Sequence, residues 1–292
     1  MRRPVKRFWI ISFTLLLAFS VVLAGCGAKK SNNATSASKL AKQKTLVVAT
    51  SGTLFPTSYH GTDNKLEGYD VDIARAVAKG LNKKIKFKEL DVSATLNAVN
   101  SGVADMAVND YGITKQRKKT FALSIPYKYS FNSMIVRKKD QSGIHSFADL
   151  KGKKAGGEAG TGYQRLATQI GAKAVNYDNV ANDVYIRDVE NGRLDVILND
   201  YYLQRMAIRA IPGASKQLTI PKNLYFQVSD TSAGSGVLMK KQNTALQTAV
   251  NKELKKLLKD GTIKKISEKY YDGADVTHKP TVHIAKTFTL KN

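Results

Sequence analysis

Cysteine and histidine are scarce in this chain of 292 residues, and the scarcity excludes several kinds of site. The single cysteine, Cys26, excludes an intrachain disulfide and a zinc site built from several thiolates. The four histidines, at positions 60, 145, 278 and 283, never share the short spacing of metal ligands. The sequence therefore predicts neither a bound metal nor a cofactor.

Acidic residues are also few: 23 Asp and Glu stand against 47 Lys and Arg, which gives a formal charge of +24. The lysines are spread along the whole chain, and no zinc-finger, helix-turn-helix or RNA-binding pattern accompanies them, so we expect no nucleic-acid partner. A diffuse cationic surface attracts anionic lipid head groups and wall polymers. Surface adhesion therefore stays open as an alternative function.

The first 25 residues have the pattern of an export signal. Four basic residues precede the uncharged apolar run from Phe8 to Leu23, which is short for a membrane-spanning helix. The run leads to Leu-Ala-Gly-Cys26, which resembles a bacterial lipobox. The resemblance implies that residues 1–25 are a lipoprotein signal peptide and that Cys26 becomes a diacylated N-terminus.

Two acyl chains hold a protein stably on a membrane. We therefore expect the protein to be lipid-anchored on the extracytoplasmic face of the cell membrane. Residues 26–44 are rich in small polar types and predict a flexible tether. The alternative is an uncleaved anchor helix in which Cys26 is incidental.

From residue 45 onward, short apolar strands alternate with amphipathic helices, which predicts parallel sheets covered by helices. Thr45 to Thr50 is a strand of β-branched and apolar residues, and Asp70 is a candidate cap for the helix that follows. Near the end of the chain, an apolar stripe from Leu246 to Leu258 predicts a helix packed on the core.

An internal repeat indicates two lobes of similar architecture. The segment from Ser101 to Asp110 resembles the segment from Asn191 to Asp200, and both consist of a helix end, a glycine, a short strand and Asn-Asp. Ligands of open α/β sheets bind beyond the carboxyl ends of the strands. The repeat therefore predicts that both Asn-Asp pairs face one cleft, unless the similarity arises by chance.

Several sequence blocks, taken in order, carry a resemblance to a known family. They are Leu66 to Ala74, Ile113 to Lys119, Asp149 to Lys154 and Asp260 to Ile266. Over about residues 44 to 275 the chain resembles the extracellular solute-binding proteins (family 3) of polar amino-acid ABC importers, and more loosely their cystine-binding branch. The resemblance implies a monomeric, non-enzymatic protein that captures an amino acid and delivers it to the importer's permease and ATPase.

The resemblance also implies the fold class: an α/β, two-lobed periplasmic-binding-protein-like fold. Each lobe is a mostly parallel sheet flanked by helices, and two crossing strands join the lobes so that they close on a ligand. Lobe 1 is expected over residues 45–137 plus 232–285, and lobe 2 over residues 138–231. The crossing strands are expected near residues 133–136 and 229–237.

A free amino acid is a zwitterion, so its site needs a cation for the carboxylate and an acceptor for the ammonium. Arg117 occupies the family's arginine position, and its planar guanidinium can bind both carboxylate oxygens. Thr161 and Gly162 open a helix on the lobe 2 side, where Thr161 and Gln164 fit a capping box. Asp200 occupies the family's position for the ammonium ligand, or it simply caps the next helix.

Further positions depart from the family pattern. Asp110 and Gly112 lie at the two lobe 1 positions that touch ligand in the family, and Asp110 brings an unusual charge there. Glu158 falls beside the side-chain pocket, and together these carboxylates favour cystine, arginine or lysine over acidic amino acids. In the first loop, Ser51 replaces a common acidic residue, and the alternatives are that Phe55 or Tyr59 forms the aromatic platform or that the pocket is wider than usual.

An enzyme on the same scaffold, for example a dehydratase-like relative, is a further alternative. Catalysis requires a general acid or base near the reacting bond. The expected cleft motifs hold no histidine, no cysteine and no Ser-His-Asp arrangement. Arg117, Thr161 and Asp200 form a recognition set, so the sequence predicts a binding protein.

Overall fold

The computed structural model describes residues 36–229 and 231–291. The described helices are α1 (36–42), α2 (Tyr69–Gly80), α3 (Val92–Ser101), α4 (Lys115–Thr120), α5 (Gly162–Gln169), α6 (Asn182–Glu190), α7 (Tyr201–Ala210), α8 (Ala214–Gln217), α9 (Thr244–Lys259) and α10 (Thr262–Tyr270). The described strands are β1 (Thr45–Thr50), β2 (Thr53–Leu54), β3 (Ser58–His60), β4 (Leu66–Glu67), β5 (Lys84–Glu89), β6 (Met106–Ala107), β7 (Gly112–Thr114), β8 (Phe121–Leu123), β9 (Lys128–Tyr129), β10 (Asn132–Arg137), β11 (Lys154–Gly157), β12 (Lys173–Asn176), β13 (Val196–Asp200), β14 (Leu218–Thr219), β15 (Phe226–Val228), β16 (Thr231–Ser235), β17 (Leu238–Lys240) and β18 (Lys286–Phe288).

Two larger sheets form the centres of two lobes. Lobe 1 contains the sheet β5-β1-β6-β17-β8, and lobe 2 contains β12-β11-β13-β10-β15-β18, with β14 paired to β10. In each lobe three neighbouring strands run parallel, and the next strand in the sheet is antiparallel. The predicted fold class, two α/β lobes joined by crossing strands, is confirmed.

Side chains alternate between the two faces of each sheet, because successive residues of a strand point to opposite sides. In β1, Val48 belongs to one buried cluster and Ala49 to another. In β10, Met134 and Ile135 are divided in the same way between the two clusters of lobe 2. The helix α9 packs its stripe on lobe 1 through Leu246, Val250, Leu254 and Leu257, which confirms the predicted core helix.

The boundary between the lobes differs from the expected one. The strand Asn132–Arg137 pairs antiparallel with β13 in the lobe 2 sheet, so the crossing lies earlier, at Lys128–Tyr129. There β9 pairs with β16, the returning crossing strand, which also pairs with β7. Lobe 1 therefore ends near residue 130 rather than 137, because the apolar strand β10 completes the second core.

The C-terminal segment extends beyond the expected division, which ended at residue 285. After α10 in lobe 1, the chain returns to lobe 2, where Lys286–Phe288 pairs parallel with β15. Phe288 is buried against Phe226 with ring centroids 5.8 Å apart. Burial of this aromatic ring outside lobe 1 explains why the tail makes a third connection between the lobes.

The segment assigned to a flexible tether is partly ordered. Residues 36–42 form α1, and Leu40 packs against the lobe 1 core. The Lys83 ammonium donates to the carbonyl oxygens of Leu40 and Gln43 at 2.7 and 2.6 Å. The export signal and Cys26 lie outside the described residues. Within residues 36–229 and 231–291, every helix is too short or too polar to cross a bilayer.

The start of α2 corrects one local expectation. Gly68 is the N-terminal cap, with φ 134°, and the helix begins at Tyr69, so Asp70 lies inside the first turn. Asp70 is fully buried and accepts hydrogen bonds from the Tyr127 hydroxyl and from the backbone N–H of Asp110. This carboxyl therefore helps to hold the loop that carries Asp110, and it does not cap the helix.

Candidate functional site

A cavity of about 160 Å³ lies between the lobes at the carboxyl ends of their parallel strands. Both lobes and both crossing segments contribute to its walls, and the C-terminal tail adds Leu290. The charged and amide side chains on its walls are Asn109, Asp110, Gln116, Arg117, Asn132, Glu158, Arg165, Asn199, Asp200 and Gln227. The two repeated Asn-Asp pairs therefore lie on one cavity, one pair from each lobe.

Arg117 projects from the short helix α4 in lobe 1. The Thr114 hydroxyl caps this helix and accepts the backbone N–H of Arg117 at 2.9 Å. The guanidinium donates to the carbonyl oxygen of Gly112 at 2.8 Å and lies 5.1 Å from the centre of the Tyr111 ring. Burial lowers the pKa of Arg117. One edge of the guanidinium is thus fixed by the protein while the side chain lines the cavity.

Thr161 and Gly162 face Arg117 from lobe 2. The Thr161 hydroxyl caps α5 by accepting the Gln164 N–H at 3.3 Å, and it donates to the Glu158 carbonyl oxygen at 2.9 Å. The predicted capping box does not form, because the Gln164 side chain donates to the carbonyl oxygens of Gly157 and Val175. The first N–H groups of α5 have no intrahelical acceptor and are the donors this loop offers to an anion.

Asp200 and Asp110 line the same cavity from opposite lobes. Asp200 caps α7 by accepting the Leu203 N–H at 2.9 Å. Asp110 adopts a left-handed backbone, with φ 53°, and accepts the Ser235 hydroxyl at 2.6 Å. Asp200 therefore caps a helix and also lines the site, as the sequence allows.

Lys128 joins these two carboxylates and was not identified from the sequence. Its ammonium lies 2.8 Å from Asp110 and 3.1 Å from Asp200, and the side chain is 1% exposed. A lysine between two tyrosines, Tyr127 and Tyr129, in an otherwise apolar stretch was the available signal, because lysine is almost never fully buried without a partner. The Asp110 carboxylate thus contacts Lys128 while the residue also lines the cavity, and its place near the ligand side chain stays a prediction.

Burial and neighbouring charges shift the pKa values of Lys128, Asp200 and Asp70. Burial alone lowers the pKa of Lys128, but the carboxylates of Asp110 and Asp200 outweigh it and raise the value well above its usual range. Burial raises the pKa of Asp200, and Lys128 opposes the shift. Burial and the charge of Asp110 raise the pKa of Asp70 to about 7. Lys128 is therefore charged at neutral pH. It supplies the opposite charge for the buried carboxylates of Asp110 and Asp200.

Glu158 follows the end of β11 and lies on the cavity wall. Burial, with smaller contributions from Asp178 and Asp91, raises the pKa of Glu158 to about 7. Tyr163 lies on the same wall and donates to Asn132 at 3.0 Å. This side of the cavity thus carries a carboxyl group that changes charge near neutral pH.

The first loop does not place its expected residues on the cavity. Phe55 packs its ring edge-on against Tyr59, with centroids 4.7 Å apart, and Leu54 lines the cavity in its place. Ser51 is buried behind the wall and donates to Asn109 at 2.9 Å. Neither side chain lines the cavity here, because the loop directs both into protein contacts, and their part in ligand binding stays a prediction. The described residues hold no cluster of three or more histidine, cysteine, aspartate or glutamate side chains that could bind a metal ion.

Comparisons with known proteins agree on one family. The family described as "Bacterial extracellular solute-binding proteins, family 3" matches residues 46–273. The chain is 46% identical to the "Probable ABC transporter extracellular-binding protein YckB" of Bacillus subtilis, over 92% of this chain and 93% of that one. It is 31% identical to the "L-cystine-binding protein TcyJ" of Escherichia coli, over 88% and 93% of the two chains.

Solved structures show the same fold. The crystal structure of YckB from Bacillus subtilis matches with a TM-score of 0.68, over 86% of this chain and 98% of that one. An ancestral arginine-binding protein bound to arginine matches with a TM-score of 0.70 at 30% identity, over 78% and 99% of the two chains.

Proposed function

We propose the function of this chain from one premise that the comparisons establish: it belongs to the bacterial extracellular solute-binding proteins, family 3. It is an amino-acid-binding protein of an ABC transporter. We propose further that it captures a polar amino acid, cystine or a cationic one, by closure of the lobes and delivers it to the importer's permease. Arg117 binds the ligand's carboxylate, and Asp200 binds its ammonium.

The observation that carries this proposal is the convergence of Arg117 and Asp200 on one cavity from opposite lobes. A guanidinium with one edge held by the Gly112 carbonyl keeps the remaining N–H donors for an anion. Because each lobe contributes one of the two charges, a zwitterion bridges the lobes and stabilises their closed arrangement. A charge-assisted hydrogen bond at either end contributes about 1.5–3 kcal/mol.

The α5 N-terminus supports the carboxylate end from lobe 2. The N–H groups of Gly162 and Tyr163 precede the first intrahelical bond of α5, which Arg165 makes to Thr161. Such groups favour an anion. On the distal side, Glu158 gives the pocket a carboxyl group suited to a second ammonium or guanidinium. The related proteins that bind cystine or arginine support this choice of ligand class.

A calorimetric screen of the twenty amino acids and cystine tests the proposal. We expect the wild type to bind at least one polar amino acid, and Arg117→Ala to lower that affinity by at least tenfold. Lys119→Ala removes an exposed cation of the same helix and is the matched control, with little expected change. Binding of none of these ligands by the wild type, or equal affinities of wild type and Arg117→Ala, would contradict the proposal.

The lipid anchor is a separate part of the proposal, because Cys26 lies outside the described residues. We propose that Cys26 carries the acyl chains and holds the protein on the outer face of the membrane. Detergent-phase partitioning of the full chain produced in a bacterial host is the measurement. The wild type is expected in the detergent phase with an N-terminal mass that corresponds to a diacylated Cys26; an unmodified Cys26 in the partitioned protein would rule out acylation at this residue, and retained residues 1–25 would favour the uncleaved anchor helix.

A further inference from the structure

Lys128 is a buried cation that the binding of a zwitterion by Arg117 and Asp200 does not explain. It lies in β9, where the chain crosses between the lobes, and 1% of its side chain is exposed. Its ammonium contacts Asp110 of lobe 1 at 2.8 Å and Asp200 of lobe 2 at 3.1 Å. Tyr271 covers it with a ring centroid 5.4 Å away. The lysine therefore occupies the space between the carboxylates of Asp110 and Asp200. Without it, the positive charge of a ligand would have to neutralise these two carboxylates.

When every acidic and basic side chain around the cavity is counted in its charged form, as Glu158 is above pH 7, the charges balance only if Lys128 is included. The ionisable side chains on the walls, tyrosines aside, are the arginines 117 and 165 and the carboxyl groups of Asp110, Glu158 and Asp200. Three acidic groups thus face two cations, and Lys128 supplies the third cation from behind the wall. A cavity of balanced charge suits a ligand of zero net charge, whereas an excess of carboxylates would suit a ligand with an additional cation.

We propose that Lys128 is a specificity-determining residue that sets the net charge of the ligand. It directs the cleft toward amino acids of zero net charge, cystine among them, and against arginine and lysine. The inference rests on the proposed function, and it chooses between the two ligand classes named there. Lys128 acts through Asp110 and Asp200, so it selects by charge without touching the ligand.

Three variants change the charge of the cleft in different directions. Lys128→Met keeps the length of the side chain and removes one positive charge. Asp110→Asn keeps Lys128 and removes one negative charge. The double variant removes both, so its net charge equals that of the wild type. Lys119→Met makes the same charge change on the exposed face of α4 and is the matched control.

The measurement is calorimetric titration of each variant with cystine and with arginine, reported as the ratio of the two Kd values, arginine over cystine. We expect a ratio above one for the wild type, and Lys128→Met to lower it by about tenfold or more. Asp110→Asn is expected to raise the ratio, and the double variant to return it toward the wild-type value. Lys119→Met is expected to leave it within about twofold.

Each result decides between separate claims. A ratio below one for the wild type, or the same ratio in Lys128→Met and the wild type, would overturn the inference while leaving the proposed function intact. A double variant as shifted as Lys128→Met would also overturn it. If Lys128→Met fails to fold, the opposite shift in Asp110→Asn and the recovery in the double variant carry the test. Binding of neither ligand by the wild type would overturn the proposed function, and this inference with it.

Discussion

The two Asn-Asp pairs of the internal repeat have the same sequence and lie at the carboxyl ends of equivalent strands, yet they differ in geometry. Asp200 has an ordinary backbone, φ −57°, and is fixed by its helix cap. Asp110 has a left-handed backbone and is fixed by side chains from other segments, Ser235 and Lys128. Both carboxylates nevertheless meet at Lys128, so the two lobes share one buried ion triad beside the cavity.

This comparison shows how one motif can serve two purposes. The carboxylate of Asp200 is held by local structure, the cap of α7, in addition to its contact with Lys128. The carboxylate of Asp110 depends on tertiary contacts, including the Asp70 carboxyl that accepts its backbone N–H. We therefore expect Asp200 to be mainly a ligand-binding residue and Asp110 to be mainly a partner of Lys128.

The largest expected effect comes from removing the lysine that the two carboxylates share. Lys128→Met leaves two buried carboxylates without their counter-ion, so the free energy of unfolding of the ligand-free protein should fall by about 3–5 kcal/mol. Denaturant titration at neutral pH measures this loss. The exposed control Lys119→Met should change stability by less than about 0.5 kcal/mol. A loss below about 1 kcal/mol for Lys128→Met would show that the triad is not the buried unit described above.

The next effect separates the two aspartates by ligand affinity. Asp200→Asn keeps a side chain that can cap α7, so it tests the charge alone, and it should weaken amino-acid binding by about 10- to 100-fold. Asp110→Asn should weaken binding of cystine by less than about fivefold, because its carboxylate contacts Lys128 and Ser235. Calorimetry with the same ligand on both variants makes the comparison. Equal losses would remove the distinction between the two residues.

The smallest effect concerns pH and the carboxyl group on the distal side. The pKa of Glu158 is raised to about 7, so this group is mostly neutral at pH 6 and mostly charged at pH 8. The affinity for arginine, relative to cystine, should therefore rise a few-fold from pH 6 to pH 8. Glu158→Gln should weaken the pH dependence of this relative affinity. The titration of the ligands themselves is the same for wild type and variant, so it does not affect the comparison. A slope that persists in Glu158→Gln would assign the effect to another group.

The same shift has a consequence for stability. A carboxyl group whose pKa is higher in the folded state than in the unfolded state makes the protein more stable at low pH than at high pH. For Glu158 this contribution to stability is lost as pH rises through about 7. Glu158→Gln should therefore reduce the decline in unfolding free energy between pH 6 and pH 8. Denaturant titrations of wild type and variant at both pH values measure it, and parallel declines in the two proteins would contradict the assignment.

Much of the architecture could be predicted from the sequence, because its signals are local. The periodicity of Thr45–Thr50 and of α9 predicts buried elements, and the repeated strand ends predict a shared cleft. The lobe boundary was misplaced because β10 is apolar enough for either sheet, and only its pairing with β13 decides between them. Phe55 does not line the cavity as expected, because the side-chain directions in a loop depend on its tertiary contacts.

The ion triad could not be predicted for the same physical reason. Lys128 is 18 positions from Asp110 and 72 from Asp200, and nothing local indicates that the three meet. The direction of the Asp110 carboxylate depends on a left-handed backbone that few residues other than glycine adopt. The residue types at the site could thus be predicted from the sequence. The contacts that these residues make with one another could not, because they depend on the tertiary structure.

A crystal structure of the protein with a bound amino acid, cystine first, would show whether Arg117 and Asp200 hold the two charges of the ligand. We expect one carboxylate of the ligand within about 3.2 Å of the Arg117 guanidinium and its ammonium within the same distance of Asp200, with Lys128 still between the two aspartates. A ligand whose charges contact neither Arg117 nor Asp200, or a cavity that stays empty beside a ligand bound elsewhere, would contradict it.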